Sequence, residues 1–168
     1  MDASMHWTGR GQGFQTPMGD HVMELTAGQP LAVLNRADEA WPVTSARDGG
    51  FRFSGYDLDR DGRPSFRYSW DEISAVDFVE PVAAESAGDA SLRRTLQLSA
   101  SSSVSNVYFR IGAAQKIEAK DGGWLLDNAV LVTSPTGEVR AVGGKQELLV
   151  PITFDNTGKA AVVYQMAW

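Results

Sequence analysis

A chain of 168 residues is long enough for one domain that buries roughly 70% of the surface its unfolded form exposes, so no metal or disulfide staple is required. Apolar residues at 43% and charged residues at 21% are globular values, and a formal charge of -6 is the wrong sign for a surface that tracks phosphates, which argues against nucleic acid as a partner. Cysteine is absent, which excludes disulfides, thiolate zinc sites, thiol nucleophiles and covalent haem, and no apolar run is long enough for a membrane helix.

Residues 1–18 are rich in Gly and polar side chains, yet they carry Met5, Trp7, Phe14 and Met18. This composition predicts an irregular arm ahead of a domain spanning 19–168, and those four side chains suit docking into a partner's groove or onto the chain's own body. Gly9-Arg10-Gly11-Gln12-Gly13 lacks the spacing of a dinucleotide fingerprint. The only histidines are His6 and His21. A three-histidine metal site is therefore excluded, and Asp20-His21 would point to opposite faces of a strand.

Short apolar runs at His21–Leu25 and Leu31–Leu34, broken by Gly28 and Pro30, read as strands. The most informative stretch follows at Phe51–Trp70, where two aromatic-rich runs flank Asp59-Arg60-Asp61-Gly62, a strong hairpin signal. Phe66, Tyr68 and Trp70 alternate with Ser65, Arg67 and Ser69, which predicts a buried face carrying the three aromatics. Asp57, Asp59, Asp61 and Gly62 also reproduce the first half of a calcium loop and make the three aspartates candidate cation ligands. Position 12 of such a loop would be Tyr68 rather than Glu, and the flanks read as strands rather than helices, which favours a plain turn.

Further strands are expected at Ile73–Val79, Leu92–Leu98, Val107–Ile111, Ile117–Ala119, Trp124–Leu126, Ala129–Thr133, Val139–Val142, Leu148–Phe154 and Ala160–Trp168. Pro81–Ser91 and the Ser/Ala run Ser99–Ser105 read as connections, and Asp121-Gly122-Gly123, Pro135-Thr136-Gly137, Gly143-Gly144 and Asp155-Asn156-Thr157-Gly158 as turns. Short strands at this turn density predict an all-β antiparallel sandwich, with a partly open barrel as the alternative.

Alternation places Arg94 on the same face as Leu92, Leu96 and Leu98, so its guanidinium either emerges at a sheet edge, meets a carboxylate or carbonyl, or serves a partner. Trp41, Trp70 and Trp124 are ordinary core residues or a platform for sugar rings. The pairs Asp38-Glu39 and Asp71-Glu72 fall where turns or strand ends are expected and read as solvated.

The phrases Gly19-Asp20-His21-Val22, Pro30–Leu34 with Trp41-Pro42, Phe53-Ser54-Gly55-Tyr56 with Leu58-Asp59, and Gly62–Tyr68 resemble a β-rich module of large exported bacterial proteins. Leu92–Leu96, Glu147–Pro151 and Tyr164–Trp168 continue the likeness. In those proteins, of planctomycetes and allied phyla, the module accompanies sorbosone-dehydrogenase-like propellers and c-type cytochrome domains. The resemblance implies a periplasmic setting beside electron-transfer machinery. It supplies no catalytic residue and no cofactor, since the chain has no Cys-x-x-Cys-His.

The expected role is a non-catalytic accessory subunit that packs, through Met5, Trp7, Phe14, Met18 and Arg94, against a membrane-anchored cytochrome, respiratory or photosynthetic complex. A carbohydrate-binding module is the first alternative. A small hydrolase or epimerase using His21 is the second.

Overall fold

The computed structural model of the chain describes residues 26–83 and 91–168; Met5, Trp7, Phe14, Met18, His6 and His21 lie outside them. Turn residues cut the described chain into twelve strands, and several turns show why the residue types were needed. Asp121-Gly122 and Gly143-Gly144 each link strands through two residues at positive φ, the backbone geometry that follows the right-handed twist of a hairpin. Asp59–Arg63 and Asp155–Lys159 repeat one design, Asp-x-x-Gly followed by a basic residue. In each, the Gly amide donates to the Asp carbonyl and the Asp amide to the carbonyl of the basic residue. The Gly sits at φ 76° or 72°.

Strands β1 (Leu31–Val33), β6 (Val107–Ala114), β11 (Lys145–Pro151) and β10 (Glu138–Val142) form a four-stranded sheet in that order. The second sheet has eight strands. Its order is β2 (Arg52–Leu58), β3 (Pro64–Trp70), β4 (Ile73–Pro81), β5 (Ser91–Ala100), β12 (Lys159–Ala167), β9 (Val130–Thr133), β8 (Gly123–Leu126) and β7 (Ile117–Lys120). All neighbours are antiparallel, and the two sheets pack as a sandwich rather than a closed barrel. The expected sandwich is therefore the observed one. Several boundaries shift: β4 runs on to Pro81, β5 through Ser99 to Ala100 and β6 to Ala114, and β11 covers Lys145–Pro151 rather than Leu148–Phe154, starting early because Gly143-Gly144 closes its hairpin with β10.

The core lies where the sheets overlap. Leu31, Val107, Phe109, Leu148 and Val150 come from the smaller sheet; Ile73, Leu96, Leu98, Val132, Val162, Tyr164 and Met166 come from the larger. Each large side chain so buried contributes about 1.5–3 kcal/mol relative to exposure. Phe109 and Tyr164 meet across the layers with ring centroids 6.0 Å apart.

The two sheets differ in width, and the excess falls on the hairpin β2–β3. Along β3, Trp70 is buried, Tyr68 is half-buried and Phe66 is 43% exposed. Phe66 was expected in the core, and this is a correction. It shares the inward face with Asp77, its partner in the register, but the smaller sheet does not extend over it. Cover at the Trp70 end comes instead from the segment before β2, where Phe51 stacks on Trp70 at 5.3 Å and the Trp70 indole N–H donates to the Gly49 carbonyl.

The outer face of the smaller sheet is covered as well. Ala32, Leu34, Trp41 and Leu149 form a second apolar cluster there. Beside it Glu147 is buried between Arg110 (3.0 Å) and Arg140 (2.6 Å). Arg110 donates to the Ala27 carbonyl and lies 4.8 Å over the Trp41 ring, while Arg140 donates to the carbonyls of Ala37 and Glu39. These two arginines pin residues 27–39 across the sheet.

Candidate functional site

The hairpin tip holds the three aspartates named as candidate cation ligands. The Asp59 carboxylate accepts from the amides of Asp61 and Arg63 and from Arg63 Nε, all within 2.9 Å. Those backbone bonds to the charged form, chiefly the one from Arg63, hold the Asp59 carboxyl below the ordinary carboxylate range. Asp61 pairs with Arg63 and Asp57 with Arg67, each at 2.9 Å. Each of the three carboxylates therefore already faces an arginine. Among the described residues no group of three or more acidic, His or Cys side chains is arranged to hold a metal ion. The tip is a turn stabilised by Asp59.

Behind the tip, the inward face of the hairpin presents an apolar surface. Phe53 is 67% exposed, Tyr56 56%, Leu58 60% and Phe66 43%. Phe66 stands between the others, 6.5 Å from the Phe53 ring and 6.2 Å from that of Tyr56, tilted by 48° and 56°. The ion pairs of Asp57, Asp59 and Asp61, together with Glu80 bridging Arg63 and Arg93, lie on this hairpin and the adjoining strands. These charges occupy the other face of the strands, since Asp57, Arg67, Glu80 and Arg93 alternate away from Phe66.

From Phe53 the surface dips into a cavity of about 500 Å³ lined by Pro30, Ala46, Phe51, Tyr68, Asp77 and Arg94, with Arg47 and Arg52 also contributing. Arg94 resolves as a buried ion pair. Its Nε and Nη2 donate to the two oxygens of Asp77 at 2.9 and 2.5 Å, and Nη1 donates to the Tyr164 hydroxyl at 3.0 Å. Its guanidinium lies 5.4 Å from the Phe109 ring centre. Burial opposes the charge on Arg94, but the hydrogen bonds and charge from Asp77, with Tyr164, outweigh it and keep its pKa above the ordinary value. Burial likewise pushes the Tyr68 and Tyr164 phenols upward. The Tyr68 hydroxyl is fully buried, and among the described residues it has no hydrogen-bond partner.

Of the expected site residues that are described, Arg94 lines this cavity, and Asp77 is the carboxylate that the sequence left unnamed. The three tryptophans do not assemble into a sugar platform. Trp41 is buried beneath Arg110 with its N–H on the Gln29 carbonyl, Trp70 is buried against Phe51, and Trp124 is half-buried beside Gly137. The expected contacts at Met5, Trp7, Phe14 and Met18, and the reading built on His21, fall outside the described residues. No protein-family model, curated protein or solved structure matches the chain.

Proposed function

We propose that the domain is a non-catalytic accessory module that docks onto a partner protein through the inward face of the β2–β3 hairpin. The observation that carries this reading is the exposed cluster of Phe53, Tyr56, Leu58 and Phe66, fixed in place by a well-paired turn. Leaving such side chains about half exposed forgoes roughly half of the ~1.5–3 kcal/mol that full burial of each would give, a loss that burial against a partner would recover. The rings are mutually tilted, an arrangement that interlocks with protein side chains better than with a flat sugar face.

A membrane-anchored electron-transfer assembly in the periplasm is the proposed host, and that part rests on the resemblance of the sequence phrases alone. The test is to isolate the tagged full chain from membranes of the source organism and read the haem or other redox absorbance that comes with it. The reading expects such absorbance with the native chain and its loss with Phe53→Ser/Phe66→Ser, a change at exposed positions that leaves the thermal midpoint near native. Absence of a redox protein overturns the host; equal recovery with the double variant overturns the hairpin face as the contact.

A further inference from the structure

We propose that the cavity between Pro30, Phe51, Tyr68 and Arg94 is a binding site for an aromatic monocarboxylate. This goes beyond the docking role and does not depend on it.

The cavity's size, about 500 Å³, falls in the usual range for small-molecule pockets. Its walls are largely apolar: Pro30, Ala46, and the rings of Phe51, Phe53 and Tyr68. Such walls favour a flat apolar body and disfavour a small hydrated anion, which would lose its water without replacement.

The residues with polar side chains in the lining are Arg47, Arg52, Arg94, Tyr68 and Asp77. Asp77 is engaged on both oxygens by Arg94. Arg94 uses three of the five N–H groups a guanidinium carries, one each from Nε, Nη1 and Nη2, which leaves one on each terminal nitrogen. Three arginines against one aspartate give the lining a formal charge of +2 on a chain of -6. A ligand must therefore bring acceptors and negative charge on an apolar frame. A planar carboxylate next to an aromatic ring meets these demands, and its two oxygens can take the hydrogens that Arg94 leaves free on its terminal nitrogens.

The test is titration of the full chain with 2-naphthoate, alongside uncharged 2-naphthamide, by calorimetry and by tryptophan fluorescence. Trp70 reports because it stacks on the cavity residue Phe51. The expected result is saturable one-to-one binding of 2-naphthoate at least about 10-fold tighter than 2-naphthamide. Phe66→Ser, on the hairpin face and outside the cavity lining, leaves that affinity unchanged, which separates this site from the docking surface. In the native chain, 2-naphthoate also shifts the Arg94 Nε–H resonance, a readout that needs no variant. Absence of saturable binding, equal affinity for acid and amide, or an unmoved Arg94 resonance would each overturn the proposal.

Discussion

Replacing Asp77 by Ala removes both acceptors that hold the buried end of Arg94. The two side chains expose only 10% and 13% of their surface, so the pair is largely withdrawn from water. Arg94 would keep the Tyr164 hydroxyl and the face of Phe109, while Nε and Nη2 lose their partners inside the sandwich. Breaking a buried pair from one side costs about 3–5 kcal/mol, because a charge remains without compensation. At roughly 2–4 °C per kcal/mol for a chain of this length, the thermal midpoint falls by about 6–20 °C. The internal control is Asp57→Ala, which breaks a pair of similar length whose side chains are 64% and 47% exposed, and where a loss of less than about 1 kcal/mol is expected. The double change Asp77→Leu/Arg94→Met, which leaves no buried charge, should regain most of the lost stability. Urea and thermal unfolding followed by near-ultraviolet circular dichroism measure all four proteins. If Asp77→Ala proved no more harmful than Asp57→Ala, the buried charge would not be the source of the effect and the reasoning would fail.

Three further outcomes are expected. Tyr68 and Tyr164 have folded pKa values raised above 10, chiefly by burial, so their contribution to stability is complete below pH 10 and is lost as pH rises through the folded values; alkaline titration at 295 nm should show these phenolates appearing only as structure is lost, and four ionised tyrosines in a native fold would contradict this. Asp59 and Asp155 have folded pKa values lowered below 3.8, so what they contribute is present above that pH and disappears as pH falls through the folded values; Asp155→Asn should flatten the acid limb of the stability profile, and an unchanged limb would remove Asp155 from it. Gly62 and Gly158 share a positive φ, but an added Cβ meets nothing at Gly62 and lies 2.7 Å from the Ala100 carbonyl at Gly158. Gly62→Ala should cost about 1–2 kcal/mol and Gly158→Ala clearly more, and equal losses in denaturant melts would show that close approach adds nothing.

The turns were legible in the sequence because their chemistry is local: Asp59-Arg60-Asp61-Gly62 and Asp155-Asn156-Thr157-Gly158 announce their hairpins without reference to any distant residue. Alternation also placed Arg94 inside, since Leu96 and Leu98 fix the face of β5. What alternation cannot supply is the extent of the opposing layer. Phe66 points inward like Trp70, yet four strands do not cover eight, and its exposure depends on where the smaller sheet ends. The same limit hid Glu147. On β11 it alternates to the outer face, where an acidic residue reads as solvated, and only the chain folded back from Ala27 to Glu39 encloses it. Asp77 was overlooked because a lone aspartate in a strand gives no sign of which side chain crosses the sheet to meet it.

That folded-back segment also sets a schedule for a chain emerging from the ribosome. Arg140 reaches carbonyls 103 and 101 residues nearer the N-terminus, and its carboxylate partner Glu147 comes later still. Residues 27–39 are therefore made early and secured late, with most of the domain translated before their anchors exist. Through that interval Leu31, Ala32, Leu34 and Trp41 lack the β6 and β11 surfaces they finally cover. That apolar stretch gains its cover in two stages, first from β6 and then from the β10–β11 hairpin.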